Sequence, residues 1–186
     1  MNFRNPVYLT HPNIPKPLHG MNPRSLLGKE WWDIHRREAY ATQDYHCWAC
    51  GIHKRDARYH QWLEGHEGYD INYKTGEVKL NEIIALCHSC HNFIHSGRMQ
   101  MMLRSGETDR DKVLYILNRG LMILDEVGLD PFYGTVMLWN QITGEDRSYT
   151  IDDSYTAPWN QWHLIIEGKK YYSKFKNMQE WANYYQ

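Results

Sequence analysis

The sequence predicts an α+β fold, and three observations predict it. Two Cys-x-x-Cys pairs, Cys47/Cys50 and Cys87/Cys90, bracket the middle of the chain. The stretch between them reads as strands, and the stretches on either side read as helices. An N-terminal arm and helix (residues 1–44) should therefore lead into a metal-stiffened domain (residues 45–104). A C-terminal helix and a small β-rich region should follow (residues 105–186).

Each element has its own reason. The first twenty residues hold Pro6, Pro12, Pro15 and Pro17, whose fixed φ and missing N–H favour an extended arm. Asn22-Pro23 is a helix start, because proline suits the first helical position, and helix-forming residues continue to about Tyr40. Trp32, Arg36 and Ala39 then share one face and Arg37 lies on another. This helix delivers the chain to the first knuckle, "YHCWACG".

Between the knuckles, Tyr59–Glu67 and Tyr69–Tyr73 read as strands, with a turn at Lys74-Thr75-Gly76 and a third run at Glu77–Leu80. After Cys90, "HNFIHSGRMQMMLR" reads as a short helix that puts His91 and His95 on one face. Thr108 and Asp111 open a longer helix whose Val113, Ile116, Leu117, Gly120, Leu121 and Leu124 trace a core-facing stripe. The tail reads as strands in "TVMLWN" and "WHLIIEGKKYY", the latter turning at Glu167-Gly168, before a short amphipathic "NMQEWANYYQ".

Composition narrows the function classes. The sequence has no run of about 20 apolar residues and its opening lacks a signal-peptide core, so a soluble, cytosolic protein without a membrane partner is expected. The net charge of −1 argues against a protein that coats nucleic acid through bulk electrostatics. Residues 1–62 nevertheless carry nine Lys/Arg against five Asp/Glu, so any nucleic-acid contact should lean on the first third. Two Cys-x-x-Cys pairs suit a tetrahedral metal better than disulfides in a reducing compartment, and Zn²⁺ is the expected ion.

With Cys47, Cys50, Cys87 and Cys90 filling that site, the histidines are free to act elsewhere. His91 and His95, four apart on a helix, can grip a second cation, and a third ligand should arrive from the preceding hairpin. His66, in "WLEGHEGYD", is the expected one. The competing reading is a set of surface or core histidines with no ligand role.

"CWACG", "WLEGHE" and "NEIIALCHSCHNFIH" together resemble the HNH, or His-Me finger, endonucleases of the subgroup stiffened by a four-cysteine zinc site. The resemblance covers Tyr45 to Arg98, and its most specific part is the Cys-x-x-Cys-His-x-x-x-His ending. It implies a ββα-metal core, a phage or mobile-element origin, and hence the host cytoplasm as location. It also implies that His66, His91 and His95 hold a divalent cation such as Mg²⁺ or Mn²⁺ against a DNA phosphate. At the position of the family's base histidine this chain has Glu67, and at that of the orienting asparagine it has Glu82, with Asn81 one step away. The implied catalytic set is thus Glu67, His66, Glu82 and His91.

Two functions follow. The first is a metal-dependent endonuclease that hydrolyses DNA phosphodiester bonds, with Arg36, Arg37, Lys54, Arg55, Arg58, Arg98 and Arg104 available to hold phosphates. The alternative is a catalytically degenerate zinc protein that binds nucleic acid or a host protein, for example as a phage anti-defence inhibitor. The eight tryptophans support the alternative, because indoles are enriched at protein interfaces.

Overall fold

The computed structural model describes residues 4–149 and 157–185. Among them the chain forms a mixed α+β structure with seven α-helices and a four-stranded sheet. No helix among these residues is long and apolar enough to cross a membrane.

The arm is less extended than its prolines suggest. Pro6–Thr10 and Lys16–Leu18 are 3-10 turns, and each buries a leucine, Leu9 and Leu18. Proline's φ fits such turns as well as an extended strand, and the apolar side chains decide between them. The expected helix from Pro23 is present but broken: α1 (Pro23–Leu27) ends at Gly28, whose φ of 91° interrupts it, and α2 (Lys29–Thr42) follows. Asn22 and Ser25 close a reciprocal capping box on α1.

The two expected runs before the turn merge into a single β1 (Glu64–Asn72), while Tyr59–Leu63 stay irregular, with Tyr59 at φ 80°. The next strand, β2 (Glu77–Leu86), is longer than expected and runs up to Cys87. The expected helix after Cys90 is two helices, α3 (His88–Ile94) and α4 (Ser96–Ser105), separated at His95. The next helix, α5 (Arg110–Asp125), is capped by Asp109 and buries all six stripe residues.

"TVMLWN" is not a strand. It lies inside α6 (Tyr133–Thr143), which buries Thr135, Val136 and Leu138 and stops at Gly144 in the left-handed conformation. A short apolar run such as residues 136–139 fits a buried helix as well as a strand, and the glycine C-cap is the local signal for helix. The remaining strands are as expected: β3 (His163–Ile166) and β4 (Lys169–Tyr172) pair antiparallel around Glu167-Gly168, both at positive φ. The last helix is α7 (Met178–Tyr185).

The chain divides into two compact units, each drawn from three separated segments. The first comprises Met1–Asn13, Glu38–His66 and Ile84–Ile151. Here α3 packs on α5, α4 on α6, and the turn at Pro6–Thr10 on both α3 and α5. Phe93, Met99, Ile116, Leu117 and Leu124 lie fully buried. Phe93 presses on Gly120 so closely that a Cβ there would fall 2.1 Å from its ring.

The second unit comprises Ile14–Arg37, Glu67–Ile83 and Asp152–Gln186. In the sheet order β1-β2-β3-β4, β2 runs parallel to β3 with Val78 opposite Leu164. Leu18, Val78, Trp162, Leu164 and Ile166 form its core, with Tyr69 and Ile71 of β1 packed against it.

Candidate metal centre

The first unit brings the four cysteines together. In the first knuckle, the Cys47 amide donates to Ile52 O and the Gly51 amide to Cys47 O, both at 2.8 Å, and Gly51 adopts φ 74° to close the turn. The Trp48 amide donates to Ala85 O at 2.9 Å, which ties the knuckle to the end of β2. Cys87 is the N-cap of α3 and Cys90 sits in its first turn.

All four sulfurs lie within 4.8 Å of one another, and Cys50 Sγ and Cys87 Sγ are 3.9 Å apart. Sulfurs at about 2.3 Å from one tetrahedral zinc stand about 3.8 Å apart, whereas a disulfide needs about 2.05 Å. The cluster therefore fits a structural zinc site. Its electrostatics agree. Hydrogen bonds from Cys47, Cys87 and Cys90 hold the Cys50 thiol far below its usual range, while burial pushes Cys47 up. Burial would lower the pKa of Arg119 of α5, but Cys50 beside it more than offsets this and raises it. Sequence reasoning did not single out Arg119, which lies sixty-nine residues from Cys50 and carries no motif.

The second cluster is His66 from β1 with His91 and His95 from α3 and its end, again within 4.8 Å of one another. His66 Nδ1 and His95 Nε2 stand 3.2 Å apart. Two imidazole nitrogens on one tetrahedral ion at 2.0–2.1 Å stand about 3.3 Å apart, so the pair is spaced as ligands. Burial, then the neighbouring His95, His91 and His11, keeps His66 neutral well below its ordinary range. Burial, then His91 and Arg98, brings His95 down to about 3. Neutral imidazole is the ligating form.

Glu64 ties this trio to further side chains. Its Oε2 lies 2.6 Å from His91 Nδ1, and its Oε1 lies 2.8 Å from His88 Nδ1 and 3.0 Å from His60 Nε2. Burial alone would raise the Glu64 carboxyl, but the bonds from His88 and His91 overcome it and hold the group well below its usual range. A carboxylate on the far nitrogen of a ligating histidine fixes the tautomer and the ring orientation. His11 adds a stacked ring over His66, with centroids 5.6 Å apart.

Compared with family models, curated proteins and solved structures, the chain matches none.

The positions of the remaining expected residues follow from β1 and β2. Consecutive strand residues point to opposite faces. Glu64 and His66 share one face; Glu67 shares the other with Tyr69, whose phenol is pushed up by burial and then by the Glu67 charge. Glu82 and Asn81, both exposed on β2, border a cavity of about 320 Å³ in the second unit with Trp31, His35 and Lys79. Of the basic residues, Arg36 pairs with Asp33 at 2.7 Å, Arg58 stacks over Tyr115 at 4.0 Å and Lys54 over Tyr45 at 4.0 Å. Arg98 is the one whose charge reaches the histidine trio.

Proposed function

We propose that this chain is a metal-dependent endonuclease of the HNH type, acting on DNA phosphodiester bonds with His66, His91 and His95 as the ligands of its catalytic cation. The observation that carries the reading is the convergence of these three imidazoles beside the four-cysteine cluster, with His66 and His95 at ligand spacing. They come from β1 and from the helix after β2, in the chain order of a ββα-metal core.

A divalent ion bound there would stabilise charge on a phosphate oxygen and on the leaving oxygen. The chain supplies the rest. Glu64 Oε2 lies 2.6 Å from His91 Nδ1, which leaves Nε2 for the ion; burial keeps His66 and His95 unprotonated; Arg98 offers a positive charge to the phosphate approaching His95. The test is nicking of plasmid DNA by the zinc-loaded protein with Mg²⁺ or Mn²⁺. Cleavage by the wild type that His91→Ala abolishes without unfolding the chain is the expected result. A folded, zinc-loaded wild type that cuts nothing overturns it.

Glu67 favours a second reading. Its place on the Tyr69 face of β1, opposite His66, removes the side chain that stands where the family keeps its base. A metal-stiffened scaffold that binds nucleic acid or a protein without cutting would need no base. Under that reading the wild type retains plasmid in a filter-binding assay with no nicking, and Glu67→His does not restore cleavage.

A further inference from the structure

We propose that His60, Glu64 and His88 form a further cation site, distinct from the four-cysteine cluster and from the His66/His91/His95 trio. The ion would be a borderline divalent transition metal of the zinc class, for which two imidazoles and one carboxylate are a fitting donor set.

Three separate parts of the chain place these donors. His60 stands in the irregular stretch before β1, Glu64 opens β1, and His88 opens α3. Their donor atoms meet within 4.8 Å, with Glu64 Oε1 between His60 Nε2 at 3.0 Å and His88 Nδ1 at 2.8 Å. All three side chains are largely covered, at 11%, 23% and 19% exposure. The surroundings fix each ring. Trp62 lies against His60 with centroids 3.7 Å apart, Tyr59 packs edge-on to His88, and the buried Asn92 amide donates to the His88 carbonyl at 2.9 Å. Two imidazoles with nitrogens at 2.8 and 3.0 Å from one carboxylate oxygen make a donor set of restricted geometry, open to a cation that binds all three.

Glu64 then has two duties, because its other oxygen holds His91. A ligand of one ion would orient a ligand of the other, and occupancy of the new site would set how firmly His91 is presented. This link, though not the site itself, rests on the reading of His66, His91 and His95 as ligands.

The experiment is metal content per chain by mass spectrometry on the full-length protein equilibrated with Zn²⁺ and desalted. Wild type should hold three equivalents: one on sulfur, one on the trio and one on the new site. His60→Ala and His88→Ala should each hold two, and His60→Ala combined with His95→Ala should hold one. Undiminished zinc in both His60→Ala and His88→Ala overturns the proposal. Loss of one equivalent in those variants but not in His95→Ala sustains the new site and removes the trio from the nuclease reading instead. Should either variant fail to fold, side-chain nitrogen NMR of the wild type decides: signals of His60 and His88 should shift together at one point of a zinc titration, and signals that stay fixed overturn the site.

Discussion

The two units are held together by different chemistry. The first places four sulfurs, six imidazoles and a carboxylate in its interior or at its edge, and its helices pack around them. The second encloses a hydrocarbon core, Leu18, Val78, Trp162, Leu164 and Ile166, under two parallel-paired strands. Apolar burial needs only water to drive it, whereas thiolates and imidazoles gathered at one point repel or desolvate one another until a cation joins them. Integrity of the first unit should therefore depend on metal, and that of the second should not.

The largest expected effect breaks the comparison at this point. Strong chelation, or Cys87→Ser, should unfold the knuckles and α3 while leaving β3 and β4 in place. Amide hydrogen exchange on the full chain checks it: Cys90 and Phe93 should lose protection while Leu164 keeps it. Simultaneous loss in both units would mean that they fold as one. The converse substitution, Leu164→Ala, should destabilise the second unit by about 2–5 kcal/mol, as expected for a fully buried leucine. Zinc content should not change, and a fall in zinc would show that the hydrocarbon core supports the metal sites.

A smaller effect sharpens the view of the first unit. Gly120→Ala adds a methyl where the Phe93 ring stands 2.1 Å away, and overpacking of this kind costs about 1–3 kcal/mol. A denaturant melt should show it, with Phe93→Leu recovering part of the loss in the double variant. Full additivity of the two would disprove the contact.

The smallest effect lies in the second unit, at His19. Its Nδ1 faces Trp181 Nε1 at 3.2 Å, and indole can only donate, so this nitrogen must accept and the ring must be neutral. Burial is the main reason its pKa lies below the ordinary value of 6.5. A lowered histidine pKa means that the unfolded chain binds more protons in that window, so stability falls as pH drops below 6.5. Proton NMR of His19 should give a midpoint under 6.5, and His19→Gln should flatten the acid dependence of the second unit. A midpoint above 6.5 would show that the ring is charged and the Trp181 bond misread.

What the sequence disclosed follows the same division by distance. The cysteine spacing, the α5 stripe and the i, i+4 pair His91/His95 are local patterns, and the structure has Cys47, Cys50, Cys87 and Cys90 in one cluster and His66 with His91 and His95 in another. Glu64 meets His88 and His91, and Arg119 meets Cys50, across 24 to 69 residues, a separation that no period of 2 or 3.6 encodes. Glu64 was visible in "WLEGHE" only as a neighbour of His66. The strand expected at "TVMLWN" failed for another reason: its four consecutive apolar residues are consistent with burial but do not specify backbone, and Gly144 rather than the run itself marks the helix end.

β1 is read on both faces, with Glu64 and His66 on one and Glu67, Tyr69 and Ile71 on the other. In evolutionary terms such a strand tolerates substitution far better than insertion or deletion. Gaining or losing one residue between Leu63 and His66 would turn the pleat over, moving Glu64 and His66 to the face of Tyr69 and Ile71. Homologous chains should therefore keep the length of this segment fixed even where its residues change, and should collect their length variation instead in the irregular stretch before it.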